Sequence, residues 1–116
     1  MKIVFTFFIV CSSFLTNAQP KPVKIILDTD FGNDCDDTGA LAILHQMVYS
    51  GEAELLAAMY PMPDDLGAAA IDAVNTYYGK PNIPIGTYTG NYVYKGKHND
   101  FYNSNLAQNF PNDLNS

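Results

Sequence analysis

Hydrophobic and polar positions divide the chain into alternating short apolar runs and helical repeats. Val23–Leu27 is a short run rich in β-branched residues, started by Pro22. Apolar on both faces, it reads as a strand buried in a parallel sheet. From Thr38 to Tyr49 the period changes, with Leu41, Leu44, Met47 and Val48 at helical spacing and Asp36 or Asp37 as the natural cap. Ser50–Gly51 ends that helix. Leu55–Tyr60 is a second strand, stopped by Pro61 and Pro63. Asp64–Asp65 opens a second helix reaching about Tyr78, with Leu66, Ala69, Ala70, Ala73, Val74 and Tyr77 on its apolar side. Gly79 stands where a helix C-terminus favours glycine. Ile83–Tyr88 predicts a third strand with an irregular start at Pro84, and Phe101–Phe110 a weak helix before Pro111.

The order strand–helix–strand–helix–strand predicts an α/β fold: an open parallel sheet with flanking helices joined by right-handed crossovers. Three strands make an incomplete sheet whose last strand leaves an edge that needs cover, and nothing after Phe101 is suited to provide it. The pattern therefore predicts the incomplete N-terminal portion of a larger domain, with self-association through the open edge into a homo-oligomer.

Residues 1–18 read as an export signal. Lys2 precedes the apolar run Ile3–Val10, and Thr16-Asn17-Ala18 forms a cleavage tripeptide before Gln19. The run is too short for a stable membrane span. Phe8-Ile9-Val10 lacks the small residues a lipidated Cys11 would need. The expected mature chain, residues 19–116, is this N-terminal part of a domain, in the periplasm or outside the cell. It keeps Cys35 alone of the two cysteines, which excludes an internal disulfide framework and a cysteine-rich zinc module.

Charge sharpens this picture. Of the 116 residues, 12 are acidic and 6 basic, giving a net charge of −6. That balance argues against nucleic-acid binding, which needs a basic face. The acids Asp28, Asp30, Asp34, Asp36 and Asp37 crowd one loop between the first strand and first helix. Asp28 and Asp30, two apart at a strand end, point the same way if the strand continues. Asp36 and Asp37 return at the helix start, and a bend at Gly32 brings both pairs to the C-terminal edge of the sheet, where open α/β sheets bind ligands. Like charges so close require a cation or protonation. Oxygen donors alone select calcium or magnesium. His45 lies too far inside the helix to join them and reads as a partly buried or solvent-facing histidine; Cys35 reads as inert. An EF-hand starting at Asp28 fails, because its fifth, sixth and twelfth positions are Gly32, Asn33 and Gly39. Asp28-Thr29-Asp30 also resembles the nucleophile loop of haloacid-dehalogenase-like phosphatases. Gly32 stands where that family has threonine or valine, and Asp36–Asp37 would be unexplained. The plain alternative is an acidic helix-capping loop without a ligand.

The segment Asp28-Thr-Asp30-Phe-Gly32-Asn-Asp34-Cys-Asp36-Asp37 resembles the N-terminal motif of inosine/uridine-preferring nucleoside hydrolases and their secreted bacterial relatives. The usual form there is Asp-x-Asp-x-Gly-x-Asp-Asp before a short apolar helix, and the longer Gly-Asn-Asp-x-Asp-Asp form is nearer. The similarity runs through Gly86, with a weaker likeness at Asn105–Leu114. The resemblance implies Ca2+ held by Asp30 and Asp37 with a contribution from Asp28. It implies Asp30 as general base on a calcium-bound water, and Asp36 on the ribose hydroxyls of a nucleoside or related riboside. Asp34, within the inserted residues, is left open: a ligand, a support for one, or a shaper of the loop. Met59-Tyr-Pro-Met-Pro-Asp64 replaces the family's asparagine after the second strand. Family members are much longer. Their later calcium aspartate, ribose-binding asparagines and glutamate have no counterpart here, and His98 is too early to serve near the base. The expected reaction of a complete member is calcium-dependent hydrolysis of an N-glycosidic bond, with this chain catalytically silent. The competing expectation is a non-catalytic exported protein that binds calcium or sugar through the retained acidic loop.

Overall fold

A computed structural model describes residues 20–32, 34–63, 66–90 and 101–114. The export segment 1–18, Gln19 and His98 lie outside them. Within them the chain is a small α/β domain with a three-stranded open parallel sheet, ordered β1-β2-β3, and three helices. The elements are β1 (Val23–Asp28), α1 (Asp36–Tyr49), β2 (Ala53–Tyr60), α2 (Leu66–Tyr77), β3 (Ile85–Thr87) and α3 (Phe101–Asn109).

Successive parallel strands added in one direction by crossovers of one hand place α1 and α2 on the same sheet face. The core lies there: Phe31, Leu41 and Leu44 meet Leu55, Ala58, Tyr60, Ala70, Ile71 and Val74, with Ile25 and Leu27 packed against them. The opposite face carries Ile26, Leu56 and Met59, all exposed. The expectation that β1 is buried on both faces is therefore corrected. Among the described residues β1 borders a single strand, β2, and Val23 and Ile26 are more than half exposed, at 64% and 61%.

β2 shows how the sheet chooses a face. Its inward residues are Ala53 and Leu55, then Ala58 and Tyr60. The phase slips by one where the register of β1 on β2 shifts, between Ile25 and Ile26. With Leu55 and Leu56 adjacent, the sequence allowed either residue to point inward.

Helix ends follow local chemistry. Gly51 and Gly79 adopt positive φ values of 79° and 72°, a conformation that side-chain-bearing residues resist. The N-cap of α1 is Cys35, with no side-chain cap bond, while Asp36 and Asp37 occupy the first turn. That corrects the expected aspartate cap. Both carboxylates instead sit where the helix dipole favours negative charge.

α2 is buried all round from Gly67 to Asn75, more than its predicted apolar stripe required. It is wedged among α1, α3, β2 and β3, and small residues let these neighbours approach. A Cβ on Gly67 would run into the buried Tyr60 ring. Downstream of α3, the backbone N–H of Asp113 donates to Asp72 on α2 at 2.6 Å.

Candidate metal centre

The acidic loop lies between the C-terminal end of β1 and the first turn of α1. Asp34 stands on the bend, and Asp36 and Asp37 on the helix. Single oxygens from these three carboxylates all lie within 4.8 Å of one another. Asp34 and Asp36 are exposed and Asp37 is half-buried. The hydrogen bond to Asp36, then the negative charges of Asp36 and Asp37, hold the Asp34 carboxyl above its ordinary range. A divalent cation in the same place relieves this repulsion, because hard oxygen donors are the ligands such ions take. The cluster can therefore chelate a divalent cation.

Thr29 fixes one member of the trio. It is buried, its N–H donates to Met59 O at 3.0 Å, and its hydroxyl donates to Asp37 Oδ1 at 2.7 Å. The sheet thereby aims the Asp37 carboxylate. Sequence reasoning passed over Thr29, although its place between Asp28 and Asp30 is the signal: where two exposed acids alternate with a third residue at a strand end, that residue faces inward.

Of the residues expected in the site, Asp34, Asp36 and Asp37 are brought together. Asp28 and Asp30 are exposed and lie outside this trio. Asp28 instead borders a cleft of about 270 Å³ at the C-terminal ends of the strands, walled by Met59, Tyr60, Pro61, Gly86, Thr87 and Tyr88. Cys35 is exposed and free.

His45 is apart from the acids but is not the partly exposed residue expected. It is 3% exposed; its Nε2 lies 2.8 Å from Asn75 Oδ1, and its ring stacks on Tyr78 at 4.7 Å. Burial pushes its pKa down, opposed by the Asn75 hydrogen bond and assisted by the Lys80 charge. It ties α1 to α2. No described helix is long and apolar enough to cross a membrane.

Compared with protein-family models, with curated proteins and with solved structures, the chain matches none.

Proposed function

We propose that the chain is a non-catalytic binding protein for a divalent cation, calcium in preference to magnesium, held by Asp34, Asp36 and Asp37. The observation that carries this reading is the convergence of three carboxylates within 4.8 Å, one of them aimed by Thr29. A loop ligand set accepts the irregular coordination that calcium tolerates and magnesium does not. Weak affinity, on the order of 10⁻⁴–10⁻³ M, suits an extracellular calcium module. In keeping with this, the chain is exported and cleaved before Gln19; mass spectrometry of the secreted product tests that step, and retention of Met1 rules it out. Calorimetric titration with calcium and magnesium tests the site. Saturable calcium binding is expected, reduced by D34N, D36N and D37N. Absence of binding at millimolar calcium overturns the reading.

A second reading is a hydrolase-like portion of a nucleoside hydrolase. It is supported by the Asp28–Asp37 motif at the C-terminal end of β1 and by the cleft beside Asp28. Asp30 would serve as general base and Asp36 would hold the ribose hydroxyls. Calcium-dependent release of nucleobase from inosine or uridine separates this reading from binding without turnover.

A further inference from the structure

The open edge of β1 is self-complementary, and we propose that two copies of this chain pair there, antiparallel about a twofold axis at Ile26. Among the described residues β1 has one neighbouring strand, β2. The N–H groups of Val23 and Thr29 bond to Glu52 and Met59. Alternate residues of a parallel strand point their backbone groups to the same side. Odd-numbered positions thus face β2, and Lys24, Ile26 and Asp28 present N–H and C=O groups to the open edge. α1 rests on β2 rather than β1, so it does not roof this edge.

An edge of this kind pairs with another strand or must be blocked. A closed homodimer requires the same patch on both copies, which for an edge strand means antiparallel pairing. In the register centred on Ile26, Lys24 lies opposite Asp28 of the second copy and Asp28 opposite its Lys24. Each hydrogen-bonded pair exchanges two N–H···O bonds. Side chains match as well. Ile26, 61% exposed, meets its own copy on the outer face. On the helix side Ile25 meets Leu27, and both already pack against the core. Lys24, which lies 3.9 Å from Glu54, gains a second carboxylate.

Neighbouring registers are poorer. Sliding one step one way puts Asp28 against Pro22, which has no N–H to give, and Lys24 against Ile26. Sliding the other way keeps a carboxylate, Asp30, opposite Lys24, but Asp30 lies beyond the end of β1 and Ile26 then faces Asp28. The two Asp28 carboxylates sit four residues apart in the favoured register, roughly 13 Å along a strand. That exceeds the screening length of about 8 Å at physiological salt, so the pairing brings no close like charges together.

Sedimentation equilibrium on the full chain tests the proposal. The expected mass is twice that of the protomer at tens of micromolar. Lys24→Asp alone and Asp28→Lys alone each place like charges opposite one another and should give monomers with unchanged circular dichroism. The double variant, Lys24→Asp with Asp28→Lys, should restore the dimer. A second measurement is independent of charge: Ile26→Cys, with Cys11 and Cys35 replaced by Ser, puts two thiols across the axis. The Cα separation there is about 5.5 Å, within disulfide range. Oxidation should cross-link it at least tenfold faster than Ile43→Cys on α1, where the native residue is similarly exposed at 65%. A monomeric wild type, a folded charge-swapped variant that stays monomeric, or equal cross-linking at both cysteines would overturn the proposal.

Discussion

Thr29→Val should weaken calcium binding about tenfold while leaving the fold in place. The substitution keeps the β-branched shape and removes one hydroxyl. That hydroxyl donates to Asp37 Oδ1 at 2.7 Å from a residue that is only 6% exposed. Hydrogen bonds to charged groups contribute about 1.5–3 kcal/mol. Asp37 is half-buried, so water replaces part of the loss and the lower end applies. A loss near 1.4 kcal/mol is a tenfold change in affinity, which is also the lower end of the effect of removing partners that orient metal ligands. The bond occupies one of roughly four acceptor positions on the carboxylate, leaving others for the ion. The same bond contributes to folding, so a stability loss of about 1 kcal/mol accompanies the change. Calorimetric calcium titration of wild type, Thr29→Val and Thr29→Ser measures it, with circular dichroism as the folding control. Thr29→Ser retains the donor and should bind within about threefold of wild type. Unchanged affinity in a folded Thr29→Val protein, or equal losses in both variants, would refute the claim that the sheet aims Asp37.

Three further outcomes are expected. Asp34→Asn should reduce calcium binding more than Asp30→Asn, since Asp34 belongs to the carboxylate trio and Asp30 does not; the reverse order in calorimetry would move the ion toward the strand end. Burial lowers the His45 pKa below its ordinary 6.5, so the unfolded chain takes up the proton first as pH falls. The stability contributed by neutral His45 is fully present above about pH 6.5 and is lost as pH falls through the folded pKa. Urea unfolding between pH 8 and pH 5 should show this decline, and His45→Gln should flatten it; a flat wild-type profile contradicts the assignment. Gly67→Ala should cost about 1–3 kcal/mol through overpacking against Tyr60, lowering Tm by roughly 4–8 °C per kcal/mol. An unchanged Tm would mean that α2 and the Tyr60 ring separate at little cost.

Local rules made much of this protein legible from its sequence. A short apolar run started by Pro22 marked β1 and one stopped by Pro61 and Pro63 marked β2, while the longer helical repeats beyond them marked α1 and α2, because length and flanking prolines separate the two where period alone does not. Gly51 and Gly79 marked helix ends, because positive φ penalises a Cβ. The crowding of aspartates between β1 and α1 exposed the candidate site, because like charges that close demand an explanation. Tertiary structure decided what depends on neighbours distant in sequence. Ile26 is as apolar as Ile25, yet it is exposed because both helices cover the other face of the sheet. The phase of β2 was set by its register on β1 and not by the run Leu55–Leu56. His45 is buried only because α2 brings Asn75 and Tyr78 to it. The choice of Asp34 over Asp28 and Asp30 as companion to Asp36 and Asp37 came from the path of the loop. Spacing states which carboxylates are near in sequence; the route of the backbone after Phe31 determines which oxygens meet.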